Sequence, residues 1–87
     1  MEEIIKRANN YLNTQNYIVI YSTPVRPIGF MKISEIISIT TNHFVILNQN
    51  GNKIKKFYPF NELTEVTIQE NTITLVFGKF TYSFETS

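Results

Sequence analysis

Residues 73–84 read ITLVFGKFTYSF, and this stretch decides the fold. Large apolar side chains recur at every second position on both sides of Gly78-Lys79, and most of the residues between them are threonine or serine. The apolar set is Ile73, Leu75, Phe77, Phe80, Tyr82 and Phe84. A glycine in the first turn position is what a type II′ hairpin turn requires. The stretch therefore predicts a β-hairpin with one buried face and one face in water.

The same pattern extends upstream to Ile39, which predicts an unbroken β-meander. Asn50-Gly51 offers two residues that tolerate the positive φ of a type I′ turn, and Glu70-Asn71 is spaced for another tight turn. Between these turns, the strand predicted over 43–48 is apolar on both faces, with Phe44 on one side and Val45 on the other. Such a strand is expected in a barrel, or in a sheet covered by a helix or by a neighbouring subunit.

The N-terminal segment predicts one amphipathic helix over residues 1–12, whose apolar face comprises Ile4, Ile5, Ala8, Tyr11 and Leu12. A first strand is predicted over 17–21, followed by a stiff loop between Pro24 and Pro27. A second strand is predicted over 28–40, with Met31, Ile33, Ile37 and Ile39 on one face. A short helical turn is predicted over 59–63.

The predicted fold class is mainly β, or α+β by count, in a single domain spanning residues 1–87. The helix precedes an antiparallel meander of six to seven strands, over residues 17–84, that forms a small barrel or a strongly bent sheet. The chain has no cysteine and no aspartate, and its net charge is +1. These counts argue against disulfides, thiolate chemistry, EF-hand loops and strong electrostatic steering to nucleic acid.

The N-terminal residues lack the basic start and apolar stretch of a signal peptide, and no apolar run approaches membrane-spanning length. We therefore expect a cytoplasmic protein that does not enter a membrane. The composition, rich in Ile, Asn, Lys, Tyr and Phe, is compatible with an AT-rich phage or mobile element.

The region from Gly29 to Phe84 resembles the bacterial pleckstrin-homology-like and GRAM domains. The resemblance lies in the spacing of the hairpins across ITTNHFVIL, FYPFNELTEVTI and NTITLVFGKFTYSFET. It implies a small barrel that is usually plugged at one end by a C-terminal helix. In this chain we expect the N-terminal helix to plug the barrel instead.

The region from Met1 to Ile68 is also similar to the Sm-like and YolD-like small barrels, through its N-terminal helix, bent meander and FVILNQN segment. This second resemblance implies a ring that binds RNA or nucleotides. Bacterial members contact RNA through a basic turn containing histidine, whereas Tyr58-Pro59-Phe60 stands at that place here. RNA binding is therefore not implied, and sequestration of a nucleotide or short nucleic acid is the alternative.

No motif in the sequence predicts catalysis, a metal site or a cofactor. His43 is the single histidine, so a histidine triad or a metal cluster would lack partners, and a structural or exposed role is favoured. Glu62 and Glu65 could form an acid/base pair, although a solvated turn edge is the simpler interpretation. We expect a protein that is not an enzyme.

Six residues are candidates for contact with a partner or ligand. Lys53 and Lys55 belong to a basic cluster that strand alternation places on one face with Phe57, and Lys56 on the other. Basic residues beside aromatic residues can hold a phosphate and stack a base, but they also protect an edge strand. The full set is Tyr21, Arg26, His43, Lys53, Lys55 and Tyr58.

The function expected from the sequence is binding by occupancy. In its most specific form, a phage or mobile-element protein inhibits a host protein by binding to it. Apolar residues on both sheet faces also favour homo-oligomerisation or a protein partner. The alternative is the oligomeric Sm-like barrel that sequesters a nucleotide or a short nucleic acid.

Overall fold

The computed structural model describes residues 2–29 and 34–85. These residues form one helix, seven strands and a single turn of 3-10 helix. The helix α1 is Glu2–Thr14, and the 3-10 helix is Phe60–Glu62. The strands are β1 (Val19–Pro27), β2 (Glu35–Thr40), β3 (His43–Asn48), β4 (Ile54–Pro59), β5 (Leu63–Gln69), β6 (Thr72–Phe77) and β7 (Phe80–Glu85). The predicted mainly β fold with an N-terminal helix is confirmed.

The seven strands form one antiparallel sheet in the order β4-β3-β2-β1-β7-β6-β5. The two halves of the sheet, β1 to β4 and β5 to β7, are each a meander. They are joined where β1 meets β7, through only two register pairs, Arg26 with Glu85 and Pro27 with Phe84. Because β4 and β5 lie at opposite edges, the sheet is not closed into a barrel.

The predicted meander is interrupted between β4 and β5, which follow each other in sequence but are not paired. The 3-10 helix Phe60–Glu62 carries the chain from one edge of the sheet to the other. It is bonded to both halves, since the Phe60 amide donates to the Asn42 carbonyl and the Gly78 amide donates to the Glu62 carbonyl. The short connection therefore brings the two edges together at one end.

Strands β2 and β3 separate two apolar layers. On one face Ile37, Phe44 and Ile46 pack with the second half of the sheet, in a cluster that includes Phe77, Tyr82 and Phe84. On the other face Ile36, Val45 and Leu47 pack against Ala8 and Leu12 of α1. Of the causes that the sequence left open for this two-sided apolar pattern, a barrel, a covering helix or a neighbouring subunit, the structure shows the covering helix on one face.

The helix does not plug the sheet from inside, contrary to the expectation drawn from the pleckstrin-homology-like resemblance. Its buried residues Ala8 and Leu12 contact the convex outer face of the first half of the sheet. The Asn9 side chain meets the Ser22 hydroxyl at 2.6 Å on the same side. The concave face therefore remains uncovered by α1.

The structure differs from the sequence prediction at β1, which continues from Val19 to Pro27, so the predicted strand end after residue 21 and the predicted loop between Pro24 and Pro27 are both wrong. A proline has no amide hydrogen to donate to a neighbouring strand, and it is therefore disfavoured in a strand that is paired on both sides. Because β7 pairs only with Arg26 and Pro27, the Pro24 section of β1 behaves as an edge and tolerates the missing donor. The second strand begins at Glu35, and the predicted positions of Met31 and Ile33 lie outside the described residues.

Three of the hairpin connections contain one residue each with positive φ, namely Gly51, Glu70 and Gly78. Gly78 has a φ of 57°, as the predicted II′ turn requires, and Glu70 adopts 56° in the β5–β6 hairpin. The Asn50-Gly51 turn is not the predicted type I′ turn, because only Gly51 has positive φ. Gly51 is instead buried beneath α1, and the loop is closed by its amide bonding to the Asn48 carbonyl.

Candidate functional site

An apolar trough, defined by the concave face of the sheet, is the first candidate site. Its volume is about 550 Å³. The first half of the sheet and the second half each contribute one wall, and Phe60 of the 3-10 helix lies between them. The lining residues are Tyr21, Thr23, Pro24, Val25, Ile37, Ile39, Phe44, Phe60, Leu63, Val66, Ile68, Ile73, Leu75 and Phe84.

The trough is open to solvent along β5. Val66 is 51% exposed and Ile68 is 71% exposed, although both side chains lie on the face that carries the core. On the opposite wall, Tyr21 is 59% exposed and Ile39 is 36% exposed. Among residues 2–29 and 34–85, no charged side chain lines the trough. An uncharged concave surface with exposed large apolar side chains is suited to an apolar partner surface.

A second cavity, the Glu35 pocket, lies where the starts of β2, β4 and β7 meet. It has a volume of about 580 Å³, and its walls include Ile46, Lys55, Lys56 and Phe80. Glu35 is 8% exposed, and each of its two carboxylate oxygens accepts one hydrogen bond. The Tyr82 hydroxyl donates to its Oε1 at 2.6 Å, and the Lys55 ammonium forms an ion pair with its Oε2. The buried carboxylate is thus compensated from two strands.

A β-bulge explains how Lys55 reaches Glu35. Ile46 pairs with Lys56 and Leu47 pairs with Ile54, so Lys55 is the extra residue of β4. A bulge of this kind redirects one side chain out of the strand alternation. Lys55 and Lys56 therefore line the same pocket, whereas simple alternation predicted that they lie on opposite faces.

Burial raises the pKa of the Tyr82 hydroxyl far above its usual value near 10, and the hydrogen bond and negative charge of Glu35 raise it further. A proton on Tyr82 is needed for donation to the carboxylate, so ionisation would place two negative charges together. Burial also raises the pKa of Tyr58. Both hydroxyls therefore stay protonated near neutral pH, and the Tyr82 hydroxyl serves as a structural donor to Glu35.

Aromatic rings fix the position of β4 against the β6–β7 hairpin. The Tyr58 ring stacks on Phe77 and on Phe80, with centroids 5.3 and 4.4 Å apart. The Lys56 ammonium lies 4.8 Å from the centroid of the Phe80 ring, a cation–π contact at the wall of the Glu35 pocket. Tyr58, a predicted contact residue, is therefore half-buried by ring packing, whereas Lys56 is exposed.

The remaining residues predicted from the sequence are dispersed. Arg26 forms an ion pair with Glu85 at 3.0 Å, where β1 meets β7. The His43 ring packs edge-on between Tyr17 and Phe57, with centroid distances of 5.6 and 5.8 Å. Lys53 is exposed in the loop before β4. The structure brings only Lys55 into the Glu35 pocket and only Tyr21 into the trough.

The predicted carboxylate pair does not enclose a site. Glu62 and Glu65 are both exposed, and the Glu65 carboxylate accepts a hydrogen bond from the neighbouring Thr67 hydroxyl at 3.4 Å. Within residues 2–29 and 34–85, no group of three or more metal-ligating side chains is close enough to hold a metal ion. The helix found in that same part of the chain is too short to cross a membrane.

Known proteins provide no match from which the role of either cavity could be inferred. No protein-family model matches the sequence, and no curated protein matches it significantly.

Sequence reasoning missed the residues that define both cavities. Glu35 and Tyr82 are separated by 47 positions, and only the fold brings them together. The available signal was a glutamate next to two isoleucines in a run of strand-forming residues, since such a carboxylate needs a buried partner. Nothing in the sequence indicated that the strand containing Val66 and Ile68 lies at an edge of the sheet.

Proposed function

We propose that this protein is a non-enzymatic binding protein that acts by occupancy, holding an apolar surface of a protein partner in the trough. The observation that supports this proposal most directly is the open concave face, on which Ile39, Val66 and Ile68 are exposed and none of the described lining residues is charged. Exposed clusters of large apolar side chains in a small domain are typical of interaction sites. The composition, compatible with a phage or mobile element, supports a host protein as the partner and inhibition as the outcome.

The arrangement of the described titratable groups supports binding over catalysis. Tyr82 and Lys55 are both engaged by the Glu35 carboxylate, and Arg26 is engaged by Glu85. A general acid or base needs a group that can exchange a proton with a substrate near the working pH. Each of these side chains instead satisfies a neighbour within the protein.

The proposal is tested by site-specific photo-cross-linking in the source cell. A benzophenone amino acid replaces Ile39 in the trough or, as a control, Ile18, which is 69% exposed and does not line the trough. We expect one discrete cross-linked protein from position 39, retained when the salt concentration is raised before irradiation, because apolar contacts are weakly screened. Equal products from positions 18 and 39, or none from position 39, would contradict trough binding.

The Glu35 pocket supports a second candidate function, the sequestration of a nucleotide. The supporting observation is Lys56, whose ammonium lies over the Phe80 ring at the wall of a cavity of about 580 Å³. A cation next to an aromatic ring can accept a phosphate and a base together. Its partner cation Lys55 is already neutralised by Glu35, which limits the positive charge that this pocket offers.

Calorimetric titration with adenosine 5′-monophosphate tests this second function. We expect Lys56→Gln to weaken binding about tenfold, the loss of one charge-assisted contact. Lys53→Gln removes a lysine of the exposed loop that does not line the pocket, and it leaves the affinity unchanged. Equal affinities for both variants and the parent protein would exclude the pocket as a nucleotide site.

A further inference from the structure

The two edges of the sheet differ in their protection against strand addition. Edge strand β4 carries Lys55, Lys56, Pro59 and a bulge, and Lys53 precedes it. Lysine, proline and bulges are the features that commonly prevent an edge from pairing with another chain. Edge strand β5 reads LTEVTIQ and has neither lysine, arginine nor proline. Its bulge lies at the start, between Leu63 and Glu65, so the edge from Glu65 to Gln69 is regular and unprotected.

The unprotected edge borders the trough. Val66 and Ile68 belong to β5 and also line the cavity. A strand added beside β5 would place every second side chain on the same face as these two residues, because side chains alternate across a sheet. Those side chains would enter the trough, and the backbone of the added strand would form hydrogen bonds with the unpaired N–H and C=O groups of β5.

The charge along this edge is of one sign. Glu62, Glu65 and Glu70 are all exposed, and residues 62–70 contain no basic residue. Glu65 lies on the outer face of the strand, since Val66 points into the trough and neighbours alternate. A strand that places basic side chains on its outer face would therefore meet complementary charge.

We infer that an extended segment of a partner protein, with apolar residues alternating with lysine or arginine, adds to β5 as an eighth strand. This inference rests on the proposed binding function and specifies the partner's contact segment. A second copy of β5 fits the edge less well, because its Val66 and Ile68 would face their own trough. It would also bring the glutamates of the two copies together. Edge β4 of another copy is blocked by its bulge and Pro59.

The test uses the full chain labelled with ¹⁵N and three synthetic octapeptides with blocked ends. The first alternates lysine with valine, the second alternates glutamate with valine, and the third has the lysines and valines of the first in two blocks. We expect the first to shift the resonances of residues 65–69 and to slow the exchange of their free-edge amides. We expect the other two to bind at least about tenfold more weakly. The glutamate peptide is repelled by the glutamates of the edge, and the block peptide cannot place its valines on one face of the added strand.

The matched variants are Ile68→Lys and Ile18→Lys, which introduce the same charge at positions that are 71% and 69% exposed. We expect Ile68→Lys to abolish the peptide-induced shifts, because a lysine on the inner face protects the edge, and Ile18→Lys to retain them. Thermal unfolding of both variants verifies that each is folded. Equal loss in the two variants would overturn the assignment to β5.

The remaining outcomes separate this inference from the function on which it rests. Shifts confined to Tyr21, Ile39 and Phe60, without slowed exchange in β5, would overturn strand addition and leave trough binding intact. No shift at millimolar peptide would overturn the inference that the partner segment alternates apolar and basic residues. Cross-linking at position 39 tests the proposed function independently of this result. Slowed β5 exchange in the protein alone, rising with its concentration, would identify a second copy as the occupant and also overturn the inference.

Discussion

The Glu35 carboxylate, 8% exposed, depends on single donors from two other strands. A buried carboxylate without partners would be strongly destabilising, and a fully bonded carboxylate fixes the positions of the groups around it. At the scale of single residues, Tyr82 and Lys55 therefore determine how β7 and β4 meet β2.

Replacement of Tyr82 by phenylalanine is expected to lower the free energy of unfolding at neutral pH by about 1–3 kcal/mol, since Glu35 loses a buried donor. The parent protein should also lose stability above pH 10. There the unfolded chain releases the tyrosine proton and the folded protein retains it, because the pKa of Tyr82 is raised. The slope approaches about 1.4 kcal/mol per pH unit for one proton.

Urea unfolding between pH 7 and 11 measures both effects, and Tyr21→Phe is the matched control because its ring is 59% exposed in the trough. The Tyr82→Phe variant should show a smaller decline above pH 10 than the parent and the control. An identical decline in all three proteins would mean that Tyr82 does not retain its proton in the folded state.

Glu70 is a second residue whose conformation has a measurable consequence. Its φ of 56° lies in the left-handed region, which costs a residue with a side chain about 1–2 kcal/mol relative to glycine. Replacement by glycine removes this strain but increases the entropy of the unfolded chain by about 0.5–1 kcal/mol. We therefore expect Glu70→Gly to raise the free energy of unfolding by up to about 1.5 kcal/mol in urea titrations. A loss of stability would show that the carboxylate makes a compensating contact.

At the scale of elements, the contact between α1 and the β3–β4 loop depends on Gly51. A Cβ atom at this position would lie 3.0 Å from the Ala8 Cβ and 3.0 Å from the Ile4 carbonyl oxygen. At Gly78, which has a similar positive φ, a Cβ would meet nothing within 4 Å. The two glycines therefore separate backbone strain from helix packing.

We expect Gly78→Ala to lower the free energy of unfolding by about 1–2 kcal/mol, the cost of the left-handed backbone alone. Gly51→Ala should cost about 1–3 kcal/mol more, because α1 must also shift away from the loop. Chemical denaturation followed by circular dichroism gives both values. Equal losses would mean that the helix adjusts freely to the added methyl group.

A comparison of the helix and strands with the sequence pattern shows which elements could be predicted. Alternation and turn residues are local signals, so β3, β6, β7 and the helical turn near Phe60 were predicted closely. Pro24 was misread as a strand end because its tolerance depends on how little of β1 is covered by β7, a contact between distant segments. The Asn50-Gly51 turn was misassigned for a similar reason, since packing beneath α1 determines its shape.

At the scale of the whole molecule, the strand order was not predictable from spacing. Each hairpin can be identified locally, but the pairing of β1 with β7 is set by burial of the shared core around Phe44, Phe77 and Phe84. The openness of the trough follows from that order, since it leaves β4 and β5 as edges. Of the contact residues that the sequence indicated, only Tyr21 therefore lies on the concave apolar face.

The second half of the sheet should open more easily than the first. Strands β2 and β3 are covered on both faces, whereas β5 is exposed beyond Leu63 and pairs on one side only. Native-state hydrogen exchange should therefore show the largest opening free energies in β2 and β3 and the smallest in β5. Uniform protection across the seven strands would mean that the sheet opens only as a whole.

The two-pair junction between β1 and β7 has a further consequence for the order in which the protein folds. Arg26 and Glu85 are 59 positions apart, whereas every other strand pair joins neighbours along the chain. Hairpins close over short loops within microseconds, but contacts between remote segments must first overcome a larger loss of chain entropy. We therefore expect the two meanders to form independently, and their pairing at Arg26 and Pro27 to be the slower step of folding.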